Sequence, residues 1–200
     1  MRRVSSALRN FKVFKHLKMK GKLLLILLFQ IVYSTIEVVS PNSLVSKFLK
    51  KYHTNPIPME LANFGNPPYG SNIVGRVYYL GGESNDGAAF ACEELPEIKN
   101  YSKNMILLID RGECPFVDKV RHAEDIGAVA VIFSDTNDDL VYDELMHDNS
   151  HGGNLSIPSI LITQSDAQLL KNAINDSKAD TFVSVKISFD MIPKSHKVDV

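Results

Sequence analysis

The sequence predicts a mixed α/β domain, and three observations carry that expectation. Short apolar runs, MILLID at 105–110 and AVAVIFSD at 128–135, have the length and continuity of buried strands. Segments with helical periodicity stand between such runs, the clearest being PFVDKVRHAEDIG at 115–127. The loops are too long, and the strands too mixed in pattern, for a doubly wound parallel sheet. With 200 residues, 44% of them hydrophobic, the chain has room for one domain with a real core and an additional segment.

In chain order, TIEVVSP at 35–41 alternates and stops at a proline, as a strand does. SLVSKFLKKY at 43–52 places Leu44, Phe48 and Tyr52 on one helical face. Residues 54–72 hold four of the nine prolines and two glycines, which predicts loop. IVGRVYYL at 73–80 is strand-like, GGESNDG at 81–87 is a turn, and MILLID follows as a strand. The next helix has Pro115 near its first turn and Gly127 as its stop. Its stripe is Phe116, Val117, Val120, Ala123 and Ile126, which assigns Asp118, Lys119, Arg121, His122 and Asp125 to solvent. AVAVIFSD leads into a long acidic loop over 135–154, and IPSILIT at 157–163 is another short buried strand. SDAQLLKNAIND at 165–176 reads as an amphipathic helix capped by Ser165 or Asp166, and TFVSVKISF at 181–189 as a last strand.

The formal charge of −1 conceals an asymmetry. Residues 1–36 carry eight of the 22 Lys and Arg and no acid, leaving 14 basic residues against 23 acidic ones in the remainder. That balance argues against nucleic acid as a partner, because affinity for it comes from neutralising phosphates. From Met19 the chain has the parts of a secretory signal: Lys20 and Lys22, an apolar run over 23–33, then Val32 and Ser34 at −3 and −1 before a cleavage at Thr35. Such a run spans about 17 Å, short of a hydrocarbon core of about 30 Å. An uncleaved membrane anchor, with apolar residues extending to Val39, is the alternative, and membrane contact is expected only then. The expected organisation is a basic extension with signal peptide over 1–34, a domain over 36–190, and a tail over 191–200.

Cys114 stands at the mouth of a helix beside Arg111, where a thiol could be a nucleophile, a redox group or half of a disulfide. A secretory route favours the disulfide with Cys92, the only other cysteine, which stabilises by about 3 kcal/mol through loop-closure entropy. The sequons at Asn100, Asn154 and Asn175 agree with that compartment as glycosylation sites. A cysteine nucleophile needs a base, and His122 lies at the far end of the helix from Cys114. Asp135-x-Asn137-x-Asp139 begins like a calcium loop but has Leu140 and Met146 where the motif needs Gly and Glu. A looser calcium site using Asp135, Asp138, Asp139 and Asp143 competes with a solvated acidic loop, which is the better reading. His147 and His151 are weak as zinc ligands and more interesting as pH-responsive groups. No metal and no cofactor is expected.

A short strand, D-R-G-x-C-x-F, a helix, G-A-x-A-V-I-x-x-D, an acidic loop and I-P-S-I-L-I together resemble the protease-associated (PA) domain. Asn63 to Gly70, as N-F-G-x-P-x-Y-G, is similar to a stretch in the luminal cargo-binding PA domain of plant vacuolar sorting receptors. The resemblance covers residues 36–190 and implies a β-sandwich or open barrel flanked by helices. It implies a non-enzymatic role in which the loop Arg111, Gly112, Glu113, Cys114, Pro115 and Phe116 contacts a peptide. Pro115 stands where those receptors more often have a bulkier residue. Arg111 offers a planar fork of donors to a carboxylate or peptide carbonyl; its alternative is a pairing with Asp110, Glu113 or a loop carbonyl. Gly112 supplies an unusual backbone angle or a close approach, and Phe116 reads as core more than as a stacking face.

The resulting expectation is a secreted or endomembrane-luminal glycoprotein, vacuolar or endosomal in the second case, that binds a peptide segment or protein partner. One alternative is an accessory domain of a protease or membrane ubiquitin ligase whose catalytic part lies outside this chain. The other is a purely structural secreted domain.

Overall fold

Each apolar run read as a strand pairs into one sheet. The computed structural model describes residues 32–81, 89–98, 103–138, 154–176 and 182–191. Its strands are β1 (Val32–Ser40), β2 (Pro56–Ile57), β3 (Glu60–Leu61), β4 (Asn72–Tyr79), β5 (Met105–Asp110), β6 (Ala128–Ser134), β7 (Ser159–Ile162) and β8 (Ser184–Met191). They lie in the order β2-β1-β8-β4-β5-β6-β7-β3. The sheet curls into an open half-barrel. Of the two architectures the resemblance implies, the open barrel is the one formed.

The four central strands β4 to β7 run parallel, and antiparallel pairs close both ends. Parallel neighbours need a crossover, and the helix α2 (Phe116–Asp125) supplies it between β5 and β6. β5 and β6 are buried on both faces, which is why their sequences are apolar without alternation. The helices α1 (Asn42–Tyr52) and α3 (Gln164–Asn175) pack on one face, where Leu44, Phe48, Ala167 and Leu170 join Ile106, Ile132, Val185 and Ile187. On the other face α2 contributes Val117, Val120 and Ala123 to a second core with Leu107, Ile109, Val131 and Phe133.

Three expectations change. The 54–72 stretch contains the two-residue strands β2 and β3 at the sheet's opposite edges. Pro56, which has no N–H to donate, fits only such an edge. The cap of α3 is Thr163, whose Oγ1 accepts the Asp166 N–H at 3.2 Å, rather than Ser165 or Asp166. Asp166 instead is fully buried and ties α3 to α1 by accepting from Lys51 and Tyr52, each at 2.7 Å. Lys119 is not on a solvent face at all but fully buried beneath the 89–92 segment. The segment 1–31, the turn at 82–88, Asn100, the loop at 139–153 with Asp139, Asp143, His147 and His151, and the tail from 192 lie outside the described residues.

Candidate functional site

The loop 111–115 leaves the carboxyl end of β5 and enters α2. Its root is fixed by Asp110, which accepts the Tyr79 hydroxyl at 2.8 Å and pairs with the Lys171 ammonium from α3. Arg111 extends the ladder by one residue, its N–H donating to the Ser134 carbonyl at 3.1 Å. The chain then turns through Gly112 (φ 122°) and Glu113 (φ 64°). A Cβ at Gly112 would meet only the Phe90 ring at 3.5 Å, so the backbone angle, not space, asks for glycine there. Cys114 closes the loop by its disulfide to Cys92, with Cα atoms 5.7 Å apart. That bond removes Cys114 from the candidate nucleophiles.

The Arg111 guanidinium lies 2.9 Å from Asp135 and 5.8 Å from the centroid of the Phe116 ring. Phe116 in turn stands edge-on to Phe133 at 4.8 Å. Among the described residues the carboxylate that pairs with Arg111 is thus the acid that follows β6, neither Asp110 nor Glu113, and the parallel pairing of β5 with β6 brings the two together. The Asp135 carboxylate is buried and also receives the Thr136 N–H at 2.7 Å. Asp135 therefore serves as an orienting anion for the guanidinium, while Arg111 keeps 29% of its side chain exposed. Gly112 and Glu113 are exposed, and Phe116 is half-buried beneath the guanidinium.

Three further ionisable groups lie at this end of the sheet. Lys119 reaches from α2 to the Phe90 carbonyl and to within 3.6 Å of the Cys92 Sγ. Burial pushes its pKa down to about 8, with Asp110 and Glu113 opposing that shift. His122 Nδ1 lies 2.9 Å from the Ala91 carbonyl, so two of the five residues assigned to solvent by periodicity, Lys119 and His122, bind the strap that carries Cys92. Glu60 on β3 is 5% exposed, and neither carboxylate oxygen has a hydrogen-bond partner among the described residues. Its pKa is raised, first by burial and then by Asp135, with Arg111 pulling the other way.

A raised carboxyl pKa means that the folded state holds the proton more tightly than the unfolded chain. The cost is full above the folded pKa and fades as pH falls towards the ordinary value. Glu60→Gln is therefore expected to raise the unfolding free energy by about 1 kcal/mol at pH 7. In urea titrations the gap between variant and wild type should shrink at pH 4.5; an equal or wider gap at the lower pH contradicts the account.

Asn154 and Asn175 are both exposed, the second as the last residue of α3. Among the described residues no group of three His, Cys, Asp or Glu is arranged to hold a metal ion, and no helix is long and apolar enough to cross a membrane. Asp138 turns its carboxylate to the Ser165 N–H at 2.7 Å, which holds its pKa down.

The PA-domain family model matches residues 73–170. Vacuolar-sorting receptor 7 of Arabidopsis thaliana is 33% identical over 149 residues, which is 72% of this chain and 22% of the receptor. A PRADC1-like protein of Drosophila melanogaster is 27% identical over 110 residues, 52% of this chain and 55% of that protein. The aminopeptidase from Aneurinibacillus sp. strain AM-1 superimposes with a TM-score of 0.50 at 19% identity, over 80% of this chain and 31% of the enzyme. At that identity the likeness concerns the fold alone. The chain spans about a fifth of the length of the sorting receptors it matches. Family match, relatives and open half-barrel agree: this chain belongs to the PA-domain proteins.

Proposed function

We propose that the chain is a non-enzymatic PA-domain glycoprotein of the secretory pathway that binds a peptide segment or protein partner through the 111–116 loop. The observation that carries this reading is the way Arg111 is held. Asp135 and Phe116 fix one side of the guanidinium, and the disulfide fixes the loop's far end. A preoriented fork loses little entropy on accepting a carboxylate or peptide carbonyl. The exposed backbone of Gly112 and Glu113 adds donors and acceptors beside it. Similarity to receptors named for vacuolar sorting supports a protein or peptide as the class of partner and an endomembrane or secreted location. Occupied sequons at Asn154 and Asn175, and a signal cleaved before Thr35, belong to the same reading; cleavage there leaves β1 its pairing from Thr35 to Ser40 with β8.

Arg111→Lys keeps a cation beside Asp135 but loses the planar fork. On a peptide array it is expected to retain its thermal stability and lose about tenfold in affinity for the sequences the wild type selects. Unchanged selection by the variant, or sequence-blind binding by the wild type, removes the recognition role of the loop.

A further inference from the structure

On the sheet face that carries α2, that helix packs over β5 to β7. Among the described residues no helix lies over β1 and β8 there, although Tyr78 of β4 joins the α2 core and the small Ser184 and Ser188 are buried. Strand alternation places Glu37 and Val39, Ser184 and Lys186, and Val74 and Arg76 on this open half. Val39, Val74 and the neighbouring Phe182 are all exposed. A groove of about 310 Å³ runs between Val74, Arg76, Asn104, Phe182 and Ser184. It lies where β5 begins, at the opposite end of that strand from the 111–116 loop.

Arg76 dominates the groove. Its guanidinium sits 4.9 Å from the Tyr78 ring and 5.4 Å from the Phe182 ring, and no carboxylate among the described residues pairs with it. A guanidinium flanked by aromatic faces is held flat and sheds water readily, which suits a bidentate carboxylate. The backbone here is already engaged: the Arg76 N–H donates to the Asn104 carbonyl at 3.1 Å, and the Asn104 amide donates to the Val74 carbonyl at 3.0 Å. A Cβ on Gly75 would stand 2.3 Å from that Asn104 carbonyl, so the glycine is what admits this plug. A ligand therefore cannot add as a strand at this point and must be recognised through side chains.

Charge and spacing define the ligand. Arg76 lies opposite Ser184 and Lys186 opposite Val74, so the two cations are diagonal neighbours with Cβ atoms about 7 Å apart. Side chains two residues apart on an extended segment share a face at about the same spacing. Glu37, opposite Lys186, is the one acid at these open positions. The valines and Phe182 supply apolar contact beside the charges.

We propose that this open half-face is a second docking surface, for an extended acidic segment of a partner protein that sets one carboxylate on Arg76 and the next on Lys186. It is independent of the 111–116 loop, and its test separates the two. The probe is a fluorescein-labelled heptapeptide alternating glutamate and valine, with its glutamine counterpart as the neutral arm, titrated against the full chain by fluorescence polarisation. The glutamate peptide is expected to bind about tenfold more tightly than the glutamine peptide. Arg76→Gln and Lys186→Gln should each reduce that preference, while Arg111→Lys leaves it intact. Melting curves establish that the variants fold, Arg76 being exposed and Lys186 half-buried. Equal binding of the two peptides, binding of neither, or a preference undiminished in both Arg76→Gln and Lys186→Gln overturns the proposal. A preference lost in Arg111→Lys alone assigns the acidic segment to the loop instead.

Discussion

Replacing Cys92 and Cys114 together by serine is expected to lower the unfolding free energy by about 3 kcal/mol, the loop-closure entropy of a bridge of this length. The bridge spans 22 residues of sequence and joins two segments that have no ladder hydrogen bonds to each other. On one side the 89–92 strap offers the Phe90 and Ala91 carbonyls to Lys119 and His122. On the other, Gly112 and Glu113 hold left-handed backbone angles between Arg111 and Cys114. Cutting the bridge frees the strap from the loop while leaving Arg111 on Asp135, so stability should fall further than the orientation of the guanidinium changes. Urea unfolding of the double variant, and of the wild type under reductant, gives the comparison. Matching losses in the two arms assign the effect to the bond rather than to the serine hydroxyls. An unchanged midpoint in both contradicts the assignment.

The strands were legible because burial on two faces leaves a direct trace in composition. MILLID and AVAVIFSD became β5 and β6 almost residue for residue. What eluded the sequence was whatever depends on which strands become neighbours. Asp135 follows β6 and Arg111 follows β5, so their ion pair exists only because β5 and β6 run parallel in register. A helical wheel places Lys119 and His122 outside because it knows nothing of a disulfide-tethered strap crossing that side of α2. Two-residue strands such as β2 and β3 carry no periodicity to detect, and proline-rich composition masks them. Glu60 was invisible for the same reason: its pairing with β7 and its proximity to the Arg111 and Asp135 charges come from strand order, not from its own neighbours in the chain. A usable signal did exist for the site's anchor. The acid after a buried strand is the first residue able to meet the arginine after the adjacent one.

Lys119 gives the second large effect, and its sign follows from where the amine sits. Burial lowers its folded-state pKa from 10.5 to about 8, so between those values the unfolded chain binds the proton that the folded protein releases. Unfolding free energy therefore rises with pH across that interval, and the cost of holding the buried ammonium is full below about pH 8. At about 1.4 kcal/mol per pKa unit the gain is on the order of 3 kcal/mol. Tyr52, whose pKa is raised from 10.0 chiefly by burial, works against it only at the upper end, from about pH 10, since ionising a half-buried phenol destabilises the fold. The difference between wild type and Lys119→Met removes that background because Tyr52 is common to both. At pH 7 the variant should be close to wild type: it loses a buried cation but leaves the Phe90 carbonyl without its donor. As pH rises from 8 to 10.5 the wild type should gain on it steadily. Both cysteines are engaged in the bridge, so thiol exchange does not intrude at the alkaline end. Parallel stability profiles for the two proteins would show that the ammonium is not desolvated in the folded state, and with that the account of the strap over α2 would fail.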